Sequence, residues 1–111
     1  MKRYCLALDL VDDAENIQQY QQYHQKVWPE IITNIRNRGV LDMQIWQVEN
    51  HLFMIMDTTD DYDPDVAENV AVSEPKNLEW ESLMSQYQQV LPSAKRGEKW
   101  IEMEKIFDLK Q

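Results

Sequence analysis

Tyr20 and His24 stand four residues apart in the stretch Tyr20-Gln-Gln-Tyr-His24-Gln-Lys-Val-Trp28-Pro29-Glu30. On a helix that spacing puts both side chains on one face, a turn apart. Both fall within an otherwise apolar stripe, so the imidazole is partly shielded from water. Desolvation lowers a histidine pKa and the C-terminal end of a helix raises it, and either balance leaves His24 titrating near neutrality. That is the range in which general acid–base catalysis is most effective. The plainer alternative is that His24 and Tyr20 sit at the edge of the core, satisfied by a backbone carbonyl or by water.

Asp9 is the other unusual residue, a carboxylate in mid-strand on the face shared by Cys5 and Ala7. Facing a cavity, it could accept hydrogen bonds from ligand hydroxyls or act as a base. Facing solvent, it is an ordinary strand charge, and the pattern leaves both open. The only other histidine, His51, falls at a hairpin turn. Two isolated histidines without carboxylates at ligand spacing do not make a metal site. The acidic run Asp57–Asp65 lacks the spacing of a calcium loop and reads as solvated. Four tryptophans and five tyrosines could stack on the C–H faces of a sugar, although aromatics also fill cores. The six methionines read as core filler.

The charge balance narrows the ligand. Eleven basic residues against 20 acidic ones give a net charge of −9. That balance is wrong for nucleic acid and for anionic lipid, and it favours a neutral small molecule. One cysteine, Cys5, allows no intrachain disulfide and no cysteine zinc site. No secretory signal is visible, and no apolar run approaches the roughly 20 residues of a membrane span. A cytoplasmic protein is the expectation.

The elements that must position these residues follow from periodicity. Residues 3–11 alternate as a strand, with Tyr4, Leu6, Leu8 and Leu10 on one face. Asp12-Asp13 supplies capping chemistry for a helix over 14–38. Its stripe runs Ile17, Tyr20, His24, Val27 or Trp28, Ile31, Ile35. Pro29 predicts a kink there or a break into two helices, and Gly39 is the stop. Strands near 41–48 and 51–57 are joined at Glu49-Asn50, and residues 58–74 read as an irregular acidic loop with a short helical turn. A second long helix spans 75–91, with Trp80, Leu83, Met84, Tyr87 and Leu91 on one face, and a last strand covers about 98–108. The order is that of a ferredoxin-like β-α-β-β-α-β domain: an α+β fold with an antiparallel sheet, helices on one face, and residues 1–111 as a single domain. Such sheets often cover their other face with a second subunit, forming a dimeric barrel.

The segment Tyr20…His24…Val27-Trp28-Pro29-Glu30 resembles the Y-x-x-x-H-x-x-[IV]-W-P-E signature of the L-rhamnose mutarotases. The resemblance runs over almost the whole chain, through Gly39, Leu52-Phe53, Trp80 and Glu104–Phe107. It implies a homodimeric, cofactor-free enzyme that interconverts the α and β anomers of a 6-deoxy-L-hexose by opening and reclosing the ring. L-Rhamnose is the first candidate and L-fucose the second. It implies His24 as proton donor and Tyr20 as a substrate-binding residue. The family's tryptophan pair falls on Trp80 and Glu81, and a binding tyrosine falls on Met43, so two positions of the sugar shell are substituted. Asp9 is the added candidate for an opposing base or a hydroxyl anchor. The competing readings are a non-catalytic sugar-binding module and a small dimeric-barrel monooxygenase or lactone isomerase.

Overall fold

The computed structural model describes residues 1–111. The chain runs β1 (Lys2–Leu10), α1 (Ala14–Gln25), α2 (Pro29–Asn37), β2 (Val40–Val48), β3 (His51–Thr58), α3 (Pro64–Ser73), α4 (Pro75–Ser85), β4 (Gln88–Gln89) and β5 (Ile101–Glu102). The antiparallel sheet is ordered β2-β3-β1-β4, with β5 on the same edge of β1 as β4. This is the ferredoxin-like arrangement with each crossover helix broken in two.

Prolines make the breaks. Pro29, Pro64 and Pro75 each open a helix, where the absent N–H would have had no intrahelical partner. Acidic side chains cap three of the four helices: Asp13 accepts from Asn16 N, Asp63 from Asp65 N and Glu74 from Lys76 N. Three sequence-based expectations need correction. Residues 64–73, read as part of a loop with a short helical turn, form the ten-residue α3: Asp63 caps it, Asp65 lies in its first turn, and Ala67 and Ala71, one turn apart, are the buried face. The helix expected over 75–91 stops at Ser85, because Gln88 and Gln89 pair with Leu10 and Asp9 of β1. The strand expected over 98–108 is reduced to Ile101–Glu102, extended by one hydrogen bond from Met103 N to Cys5 O at 2.7 Å. Beyond that, the segment has no pairing partner within the chain.

Alternation on β1 sends Leu8 and Leu10, both 0% exposed, beneath the helices. They share that face with Leu52 and Met54 of β3, the neighbours in register. The core cluster joins Leu10, Leu52, Tyr20, Ile31, Trp80 and Met84, so strands, α1, α2 and α4 all close on one centre. Arg3 and Asp57 pair across β1 and β3 on the opposite face through two hydrogen bonds of 2.8 and 3.0 Å. The fork-to-carboxylate geometry holds the Asp57 carboxyl below its usual range.

Two backbone devices set the strand beside the cavity described below. Between β2 and β3 a bulge at Leu41 shifts the register, so that Val40 opposes Thr58 while Asp42 opposes Asp57. The extra residue turns Met43 toward the helices, where unbroken alternation from buried Val40 would have turned it away. Gly39 ends α2 at φ 96°, and a Cβ there would meet Thr59 Oγ1 at 3.2 Å. Gly39→Ala is expected to destabilise the fold by about 1–2 kcal/mol, since a side chain is unfavourable at positive φ. The midpoint of urea unfolding measures this, and an unchanged midpoint would refute it.

Candidate active site

Between the helices and the sheet lies a cavity of about 570 Å³, within the usual range for small-molecule sites. Tyr20 and His24 reach it from α1, Met43 and Ile45 from β2, Trp80 and Glu81 from α4, and Gln88 from β4. Five of the six sequence candidates therefore converge on one space. Asp9 does not. It projects from the opposite sheet face, where its carboxylate meets Nδ1 of His51, its cross-strand partner, at 2.8 Å. The alternation that buries Leu8 and Leu10 puts Asp9 there. Its role is to hold the exposed His51 imidazole above its ordinary pKa.

His24 is fixed by its own helix. Its Nδ1 lies 2.9 Å from the carbonyl oxygen of Tyr20. A carbonyl only accepts, so Nδ1 carries the hydrogen, and in the neutral ring Nε2 is the free lone pair. Burial among aromatic rings pushes the imidazole below its ordinary pKa, and the bond to the Tyr20 carbonyl opposes this more weakly. The ring packs against Tyr20 with centroids 4.4 Å apart and edge-on to Trp80 at 5.6 Å. Trp28 in turn packs edge-on to Trp80 at 5.1 Å. This aromatic wall keeps the imidazole neutral and its rotamer restricted.

The Tyr20 phenol is likewise pushed above its ordinary pKa by burial and remains protonated at neutral pH. Its oxygen accepts from the Gln88 side-chain amide at 3.4 Å, which leaves its own hydrogen available. Glu81, exposed at the rim, is met by Lys99 Nζ at 3.5 Å from its carboxylate and 3.3 Å from its backbone carbonyl.

The residues that place Trp80 are ones the sequence reading did not single out. Buried Asn34 accepts from Arg38 at 2.9 and 2.7 Å and donates to Val70 O at 3.0 Å. Arg38 also donates to Asn77 Oδ1 at 2.9 Å, and Asn77 donates to Ala71 O at 3.1 Å. This network ties α2 to α3 and α4, one turn before Trp80. The available signal was Asn34 and Arg38 at helical spacing of four, which is common on solvated helix faces. Trp100, one of the four tryptophans read as able to stack on a sugar, also lines the cavity, as does Gln88, which carried no sequence signal of its own.

The arrangement offers a neutral imidazole with one free nitrogen, a phenol able to donate, an amide and an apolar aromatic wall. Such a set can bind a neutral polyhydroxyl compound and move a proton on it. No cluster of three histidine, cysteine or acidic side chains is positioned to hold a metal ion.

Comparison with known proteins agrees with this chemistry. The L-rhamnose mutarotase family model matches residues 3–109. The L-fucose mutarotase of Xanthomonas campestris pv. campestris is 37% identical, covering 100% of this chain and 90% of its own. The L-rhamnose mutarotase of Paraburkholderia phymatum is 28% identical over 67% of each chain. The crystal structure of the L-rhamnose mutarotase of Formosa agariphila shares the fold with a TM-score of 0.71 at 20% identity, covering 99% of this chain and all of that one.

At pH 7, long-range ¹H–¹⁵N NMR is expected to find His24 neutral and protonated on Nδ1, taking its second proton on Nε2 below pH 6.5. An Nε2–H tautomer, or titration at 6.5 or above, would refute the assignment. Because the unfolded chain takes up this proton at a higher pH than the folded one, His24 contributes stability that is lost as pH falls below about 6.5.

Proposed function

The chain belongs to the L-rhamnose mutarotase family, an isomerase family, and we infer that residues 1–111 act as one domain that interconverts the α and β anomers of a 6-deoxy-L-hexose. The observation that carries the mechanism is the bond from His24 Nδ1 to the Tyr20 carbonyl, which leaves Nε2 as the free nitrogen of a ring that lines a cavity sized for a pyranose.

Ring opening needs a proton removed from O1 and one delivered to the ring oxygen as C1–O5 breaks. Both oxygens are bonded to C1, so a single nitrogen can serve them in turn. Neutral His24 takes the O1 proton, and the imidazolium so formed donates it to O5 as the aldehyde appears. After rotation about C1–C2 the steps reverse on the other face of the carbonyl: Nε2 takes the O5 proton and returns it to the carbonyl oxygen. The proton balance closes on one side chain, with no cofactor and no role for Asp9. Tyr20 orients the sugar with its hydroxyl, and Trp80 and Met43 contact its apolar faces. Glu81, where the family carries a second tryptophan, faces the sugar rim as a hydrogen-bond acceptor.

Among the deoxysugars we place L-fucose ahead of L-rhamnose. The Xanthomonas relative named for L-fucose matches the whole chain, whereas the Paraburkholderia relative named for L-rhamnose matches two thirds of it at lower identity. The substitutions at Met43 and Glu81 fit a shell that reads hydroxyl stereochemistry differently.

The face of the sheet away from the helices supports a second copy as partner. It carries Cys5, Ala7, Phe53, Ile55 and Trp46, with Trp46 60% exposed, and no element of the chain covers it. The segment after β5 adds exposed Ile106, Phe107 and Leu109. Covering this surface removes apolar area from water at about 25 cal/mol per Å². No helix of the chain is long and apolar enough to cross a membrane.

Saturation transfer between the anomeric protons of L-fucose and of L-rhamnose tests the activity. Wild-type protein is expected to accelerate exchange, and His24→Ala to lower the rate by about 10²–10⁴-fold while remaining folded. Exchange that survives His24→Ala would remove the histidine from the mechanism. The rate is expected to fall as pH drops through the lowered His24 pKa, since the reactive form is neutral; a rate falling with rising pH would mean that the imidazolium initiates the reaction. Sedimentation equilibrium is expected to give twice the chain mass of 13.3 kDa, shifting toward monomer in Trp46→Arg. A monomeric wild type would overturn the dimer.

A further inference from the structure

Gln88 carries the one buried side-chain polar atom of the chain that has no hydrogen-bond partner. Its amide nitrogen donates to Tyr20 Oη at 3.4 Å, while its Oε1 is shielded from solvent and has no hydrogen-bond partner. A buried acceptor without a donor costs about 1–3 kcal/mol, so an orphan of this kind calls for a reason. The backbone around it is held firmly. Residues 86 and 87 close the end of α4 through Gln86 N to Leu83 O and Tyr87 N to Met84 O. Tyr87 O accepts from Val11 N at 2.9 Å and from the Asn16 side chain at 3.0 Å, and Gln88 itself pairs with Leu10. A side chain on so constrained a backbone could have been satisfied by a neighbour or turned to water. Instead it lines the cavity beside Tyr20.

Resting on the anomer-exchange reading, we propose that Gln88 is a specificity-determining residue that grips one ring hydroxyl of the sugar, other than O1, in a pair with Tyr20. A hydroxyl is both donor and acceptor, and the two protein groups present the complement. Because the Tyr20 oxygen accepts from the Gln88 amide, its own hydrogen points outward and can be donated to the sugar oxygen. Gln88 Oε1 accepts the sugar O–H. Two protein atoms joined through one hydrogen bond thus read the position of a single hydroxyl. A methyl or hydrogen there would leave the acceptor as unpaired as it is in the empty site, whereas the correct hydroxyl satisfies it, so the right sugar gains a bond that the wrong one cannot make. The grip acts on a substrate atom that does not react, so it orients C1 and O5 toward His24 Nε2.

Anomer exchange measured on the preferred sugar and on its 2-, 3- and 4-deoxy analogues tests this, comparing wild type with Gln88→Met, which keeps the chain length and removes both polar atoms. Gln88→Met is expected to reduce kcat/KM on the parent sugar by about 10–100-fold. On one deoxy analogue, the one lacking the gripped hydroxyl, wild type and variant should coincide. Gln88→Asn, which withdraws the amide by one methylene, should show the same pattern and serves if the methionine variant does not fold. An equal loss on every analogue, or no loss on any, would overturn the proposal and leave Gln88 a structural residue. If wild type exchanges no anomers, the mutarotase reading fails by itself, and binding of the same sugar panel, followed by tryptophan fluorescence, decides the role of Gln88. Hydroxyl-specific weakening in the variants then sustains it; uniform weakening, or no binding by wild type, overturns it.

Discussion

The hydrogen bond from His24 Nδ1 to the Tyr20 carbonyl joins the geometry of α1 to the protonation state of the cavity. An imidazole left to water would sample both tautomers and several rotamers. Tied back one turn along its own helix, it keeps its hydrogen on Nδ1 and presents Nε2 in one direction. The bond also raises the pKa while burial lowers it, and burial prevails. The rest of the site follows from this choice. The ring needs Trp80 and Tyr20 on either side to stay dry, and those rings need α4 held against α1 and α2.

That last requirement explains the broken crossovers. A continuous helix from Ala14 to Asn37 would send its second half along one axis. Stopping α1 at Gln25 and restarting at Pro29 lets α2 turn so that Ile31 enters the same cluster as Tyr20. Pro75 does the same for α3 and α4, and the Asn34–Arg38–Asn77 network then locks the two restarted helices together. Arg38 makes three hydrogen bonds, to Asn34 and Asn77, where apolar packing alone would allow the helices to slide. The charge is costly to bury, and its pKa is drawn down accordingly, but amide oxygens and the nearby Glu81 offset the cost.

What the sequence made legible was whatever depends on local spacing. The four-residue step from Tyr20 to His24, the proline after Trp28, the glycine after α2 and the two-residue loop at Glu49-Asn50 all act within one turn or one hairpin. The structure realises each of them, including the positive φ of 52° at Glu49 that such loops require. The features missed depend on distant partners. The acidic stretch before residue 74 hid α3 because its carboxylates cap a helix whose buried face is only two alanines. Gln88 read as helical until pairing with Leu10 claimed it, and a glutamine has no periodic signature in either state. The expected strand after Trp100 failed for a similar reason: β4 and β5 already share the edge of β1, and alternation cannot show where a partner ends. Asp9 was ambiguous because alternation assigns a residue to a face without saying which face is roofed.

The polarity of the cavity argues for the kind of ligand it takes. Of the charged side chains lining it, Glu81 is engaged by Lys99 and Arg38 by Asn34 and Asn77, while the exposed Arg36 and Asp42 side chains make no hydrogen bond or ion pair within the chain. Besides those two exposed charges, the polar groups left facing the space are a neutral imidazole, a protonated phenol and an amide oxygen. The unpaired charges, Arg36 and Asp42, are both solvent-exposed, so the shielded part of the cavity offers an ion no partner. A neutral ring bearing several hydroxyls meets each group with one of its own, while its C–H faces lie against tryptophan and methionine. The overall excess of negative charge outside then matters little to binding, since a field acts on an uncharged sugar only through its dipoles. The same neutrality suits the reaction. Ring opening creates charge only in passing, on the imidazolium and on the sugar oxygen that gave it the proton, and the proton is returned before the product leaves.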